Sequence, residues 1–137
     1  MADYTTSIDI EAPPEVVFAH LVAPEAMVAW SPIHATLDPS PGGTFAIDIG
    51  GTPVRGEYVE VDPPRLVVVT WGVAGHPTLP AGSSRVEFRL TALDGDSRTH
   101  LDLLHSGLPA DEVPAHARGW ADCLARLVDA APATRTR

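Results

Sequence analysis

The chain contains no lysine and only one cysteine. Its nine basic residues are all arginine, scattered rather than clustered, and they face 18 carboxylates for a formal charge of −9. Nucleic acids and anionic membrane surfaces need concentrated positive charge to displace their counterions, so neither is expected as a partner. Arginine without lysine reflects genome base composition more simply than it reflects Arg-specific chemistry, which would gather the residues in one place. Cys123 has no second cysteine to pair with, so the fold owes nothing to a disulfide and suits a reducing compartment. No apolar run reaches the roughly 18 residues that would cross a bilayer, and Met1 to Thr6 lack the charged and then apolar stretches of a secretory leader. A cytoplasmic, unprocessed protein is expected.

Several chemistries lack their signatures. There is no Gly-x-Ser-x-Gly elbow, and Cys123 has no basic neighbour at helical spacing except Arg126, so Cys123 reads as a small packing residue. The glycine pairs Gly42-Gly43 and Gly50-Gly51 do not lead into helices, which excludes a phosphate loop. His100 and Asp102 on one strand face fall short of the three or four convergent ligands of a metal site. Neither a metal nor a cofactor is expected, and no residue is assigned as catalytic.

What the sequence does contain is a succession of changing hydrophobic periods with no internal repeat. A chain of 137 residues buries about two thirds of its unfolded surface, enough for one core. Tyr4, Thr6, Ile8 and Ile10 alternate on one strand face. Pro13-Pro14-Glu15 then opens a helix to about Leu21, and a second short helix is expected from Pro24 to Trp30. From Ile33 the period is two: Phe45, Ile47 and Ile49 share a face, strands follow over 54–61 and 65–73, and Val86, Phe88 and Leu90 alternate with Arg85, Glu87 and Arg89. Leu101, Leu103 and His105 face one way on the last strand. From Asp111 to Ala130, Val113, Ala117, Trp120, Leu124, Leu127 and Val128 form one helical stripe, which must lie on the inward face of the sheet. The expected fold is α+β: a curved antiparallel sheet of six or seven strands gripping a long C-terminal helix, with two short helices after the first strand. One domain is expected over 1–131, with a frayed tail over 132–137. Because Leu66-Val67-Val68-Val69-Thr70-Trp71 is apolar on both faces, a homodimer or another cover is expected on the outer sheet.

This order of elements resembles the START/SRPBCC superfamily, the birch-pollen-allergen-like fold, across nearly the whole chain. Pro13-Pro14-Glu15-Val16-Val17-Phe18 is similar to its helix-opening segment. Gly42-Gly43-Thr44-Phe45, the run from Gly56 to Leu66, Thr70-Trp71, His105-Ser106-Gly107-Leu108-Pro109 and His116-Ala117-Arg118-Gly119-Trp120 resemble the branch named for the activator of the heat-shock protein 90 ATPase. The resemblance implies a binding module for an apolar or aromatic molecule, held between sheet and helix. Other members of the superfamily make a cofactorless cyclase- or hydratase-type enzyme the alternative. Chaperone ATPase activation stands third, because the namesake has an additional N-terminal domain for which 137 residues leave no room.

The candidate ligand-binding residues are Trp30, Phe45, Ile47, Phe88, Leu90, Leu103, His105, His116, Trp120 and Leu124. Any one of the apolar residues also reads as ordinary core. His105 continues the inward series of its strand, and His116 lies one helical turn before Trp120, so both imidazoles could meet the same interior. Each reads as a hydrogen-bond anchor or a base, or as a structural histidine. Glu57, on the strand parity of Val59 and Val61, is an acid candidate if that face is inward.

Overall fold

The computed structural model describes residues 2–23, 34–49, 51–95 and 97–135. Strand β1 (Ala2–Ile10) leads into helix α1 (Pro14–Val22), and β2 (His34–Leu37), β3 (Thr44–Ile49), β4 (Thr52–Asp62), β5 (Leu66–Trp71), β6 (Ser84–Leu93) and β7 (Arg98–Leu108) follow. A single 3₁₀ turn (Ala110–Glu112) then feeds helix α2 (Val113–Arg135). The expected second short helix and Trp30 lie outside the described residues.

The seven strands form one sheet in the order β1-β7-β6-β5-β4-β3-β2, and every pairing is antiparallel. Alternation decides what enters the core. In register across the middle of the sheet, Val67 lies beside Phe88 and Phe88 beside Leu103, while Val69, Val86 and His105 form the next row. These residues are nearly all below 5% exposed and cluster with Trp120, Cys123, Leu124, Leu127 and Ala131 of α2. The helix therefore lies on the concave face, as its apolar stripe requires, and it also packs against β1 and α1. It runs to Arg135, five residues beyond the expected end, and Ala131 is fully buried.

Two local devices bend the sheet. At Gly56 a Cβ would lie 1.9 Å from the Thr70 carbonyl oxygen, so only glycine lets β4 come this close to β5. Beyond it a bulge between Tyr58 and Glu60 shifts the register. That bulge corrects the reading of Glu57. Tyr58 pairs with Val69 and Val61 with Val67, so both face the core although they differ in parity. Glu57 therefore does not share the face of Val61 and is exposed to solvent.

The outer face of β5 is covered within the single chain. Val67, Val69 and Trp71 turn inward, while Val68 turns outward between Glu60 and Glu87 in the register. Val68 is nonetheless only 3% exposed in the single chain, so its neighbours on the outer face already cover it. The two-faced apolar strand does not by itself call for a partner.

Candidate functional site

At the end of the sheet formed by the β3–β4 hairpin, sheet and helix diverge and enclose a cavity of about 530 Å³. Phe45, Ile47 and Ile49 of β3, Val54 of β4, Trp71 of β5 and Phe88 of β6 form its sheet wall. The opposite wall is the first half of α2, where Ala115, His116, Gly119, Trp120 and Cys123 recur at the three- and four-residue spacings that share a helix face. Gly119 contributes space: a Cβ built there would meet no atom within 4 Å. The aromatic rings pack on one another, Phe45 against Trp71 at 5.9 Å, Trp71 against Trp120 at 5.1 Å and Phe88 against Trp120 at 5.8 Å between centroids. They make a continuous apolar surface rather than isolated contacts.

His105 sits behind this wall. Its ring is fully buried beside Trp71, His116 and Trp120 and is not part of the cavity lining. The Trp120 indole N–H donates to His105 Nδ1 at 3.1 Å, which places the imidazole proton on Nε2. Nε2–H then donates to Ser84 Oγ at 2.8 Å, and the Ser84 hydroxyl donates to the Trp71 carbonyl oxygen at 2.7 Å. Both nitrogens of neutral His105 are thus satisfied, and burial, with a smaller effect from neighbouring His116, pushes its pKa down to about 3. This is a structural histidine. It positions Trp120 and has no lone pair left for a ligand.

The polar edge of the cavity is built from three other groups. His76, in the loop between β5 and β6, accepts backbone N–H bonds from Thr78 at 3.2 Å and Leu79 at 2.9 Å on Nδ1. Its proton is therefore on Nε2, 3.3 Å from the Glu112 carboxylate. From the other side, His116 Nδ1–H donates to the Glu112 carbonyl oxygen at 3.0 Å and lies 3.7 Å from its carboxylate. In neutral His116 this leaves Nε2 as the acceptor, with no hydrogen bond among the described residues. Trp71 Nε1 is the one buried side-chain nitrogen or oxygen without a partner among the described residues. His116 Nε2 is thus an uncommitted acceptor at the site, while the Trp71 N–H is shut off from it, the two ring centroids being 6.5 Å apart.

Of the candidates read from sequence, Phe45, Ile47, Phe88, His116 and Trp120 line the cavity. Leu90, Leu103 and Leu124 do not: they belong to the packed part of the core, where helix and sheet are in full contact. His105 is a correction for the reason given, and Trp30 lies outside the described residues. Sequence reasoning missed Trp71, His76 and Glu112. Trp71 was hidden in an unbroken apolar run, His76 in a loop without period, and Glu112 among the acidic residues of a helix start. Among the described residues no group of three or more His, Cys, Asp or Glu could hold a metal ion, and no helix is long and apolar enough to cross a membrane. His100 is occupied instead by Asp9 at 2.6 Å and Asp102 at 3.2 Å, and its pKa is raised, first by the Asp9 hydrogen bond.

Comparison with known proteins agrees with this fold. An uncharacterized protein of Schizosaccharomyces pombe is 28% identical over 81% of the chain, and the human activator of 90 kDa heat shock protein ATPase homolog 1 is 27% identical over 78%. The chain spans 31% and 30% of the lengths of these two relatives. Among solved structures, protein MLL2253 from Mesorhizobium loti is similar over 99% of both chains, with a TM-score of 0.82 and 26% identity. The Aha1 dimer from Colwellia psychrerythraea has the same fold over 96% of both chains, with a TM-score of 0.79 and 22% identity. The family model for activator of Hsp90 ATPase homolog 1-like proteins matches residues 11–131, nearly the whole domain, and the chain belongs to that family.

Proposed function

We propose that this chain is a binding module for an apolar or aromatic small molecule, held in the cytoplasm within the cavity between the β3–β4 end of the sheet and α2. The observation that carries the reading is the cavity itself: about 530 Å³, walled by Phe45, Trp71, Phe88 and Trp120, with His76, Glu112 and His116 forming a polar edge. Its volume falls in the usual range for small-molecule pockets, and a few polar groups at one end of an apolar wall are how such pockets orient a ligand. The test is a thermal-shift screen of flavonoids, polyketides, sterols and fatty acids, followed by Trp fluorescence. A ligand at 100 times its dissociation constant stabilises by about 2.7 kcal/mol, a rise of very roughly 8 to 14 °C for a domain of this size. In Trp120→Phe the fluorescence response is expected to shrink. Absence of a shift with every class would overturn the reading.

A cofactorless cyclase- or hydratase-type enzyme is the second reading, and one observation favours it. Glu112 holds the Nδ1 side of His116, which leaves Nε2 as the atom able to take a proton. His105 and Glu57 supply nothing to it. Activation of a chaperone ATPase, the activity named for the human relative, has no counterpart in the cavity geometry. A homodimer is part of the proposal, supported by the Colwellia protein of the same fold being a dimer. Light scattering should give twice 14.5 kDa; a clean monomer at high concentration removes it.

A further inference from the structure

We infer that the cavity selects uncharged aromatic molecules bearing a hydroxyl group and discriminates against the matching carboxylates. The inference rests on the ligand-binding reading and adds the chemistry of the ligand's polar end. Among the described residues Glu112 is the only carboxylate lining the cavity and no arginine lines it, and the chain has no lysine. Arg55, the cation on the adjoining strand, is committed to Asp48 at 3.0 Å and to the carbonyls of Ile47 and Val54. An anionic ligand would therefore lose its water and meet a carboxylate of its own sign with no arginine or lysine among the described lining residues to pair with, which is the costly case for a buried charge. Glu112 itself already occupies the positive N-terminal end of α2, where an anion would otherwise be drawn.

The uncommitted nitrogen says what fits instead. His116 Nε2 accepts, because its other nitrogen is tied to Glu112, while the unpartnered Trp71 N–H is shut away from solvent and from the cavity. A hydroxyl group can donate to His116 Nε2, whereas a carboxylate has no proton to give. A ring system attached to it would cover the surface made by Phe45, Trp71 and Trp120.

The experiment is calorimetric titration at pH 8 with 2-naphthol and 2-naphthoate, a pair that shares one ring system. Wild-type protein should bind 2-naphthol at least about tenfold more tightly, the scale of a single like-charge contact or one hydrogen bond. Glu112→Gln should narrow that ratio by strengthening 2-naphthoate. His116→Phe should weaken 2-naphthol by roughly tenfold and leave 2-naphthoate unchanged. Equal affinity for the two probes, a preference for 2-naphthoate, or a ratio that neither variant moves overturns the inference while the ligand-binding reading stands. Binding of other apolar probes with neither naphthalene derivative bound does the same. Failure of every probe in this pair and in the wider screen overturns the ligand-binding reading itself.

Discussion

At the scale of single residues, His105 makes the stability of this protein depend on pH in a defined direction. Its folded pKa is about 3, and an exposed imidazole titrates near 6.5. Between those values the unfolded chain binds a proton that the folded chain does not, so stability is full above pH 6.5 and falls as pH drops toward 3. The slope from one such proton is at most about 1.4 kcal/mol per pH unit. His100 works the opposite way: its raised pKa adds stability below about 6.5 that is lost as pH rises, but it stands near the surface, where water screens the effect. Urea midpoints measured from pH 7.5 to 4.5 should fall, and His105→Gln, which cannot titrate, should flatten the fall while lowering stability at pH 7.5. An unchanged slope in His105→Gln would show that other groups set the dependence. Tyr58 offers a second single-residue test. It is fully buried, its hydroxyl donates to the Leu21 carbonyl at 3.1 Å, and its pKa is raised, first by burial and then by Asp38. That bond ties the end of α1, whose last carbonyls have no helical partner, to β4. Tyr58→Phe is expected to cost about 1–2 kcal/mol in denaturant unfolding.

At the scale of elements, α2 is both the support of the fold and one wall of the cavity. Its apolar stripe was legible because Trp120, Leu124 and Leu127 repeat at helical spacing, and its strands of contact were legible because β3, β6 and β7 alternate cleanly. Strand β5 was not: a run such as Val67-Val68-Val69 gives no sign of which face is inward, and only pairing with Glu60 and Glu87 turns Val68 out and Trp71 in. The face of Glu57 was left open for a related reason, since a bulge inverts the alternation after Tyr58 and bulges leave little trace in composition. Gly119 is the weak point of α2, a glycine in a helix interior with open space beside it. Gly119→Ala should therefore stabilise the protein by about 0.5–1 kcal/mol, read as a raised urea midpoint, because it restricts the unfolded chain and creates no clash. A loss of stability would mean that the space beside Gly119 is smaller than the structure gives.

For the whole molecule, the layers and His116 could be read from sequence, and the rest of the cavity's polar edge could not. Sheet, helix and their contact follow from hydrophobic period. The meeting of His76, Glu112 and His116 depends on where a loop between two strands settles against a helix start far along the chain. The cavity also sets a balance between stability and binding that can be tested from its helix wall. Interiors are close-packed, so an apolar void forgoes contacts that a larger side chain would recover. Cys123 is 8% exposed and lines the void from α2, in the turn after Trp120. Cys123→Leu extends an apolar side chain into that space and should stabilise the unliganded protein by about 1 kcal/mol, the worth of one to two buried methylenes. The same substitution takes up room that a ligand needs. The melting-temperature rise produced by 2-naphthol should therefore shrink to less than half of its wild-type value, while the unliganded melting temperature goes up. A variant that is less stable and binds as well as wild type would mean that Cys123 borders packed core rather than the cavity.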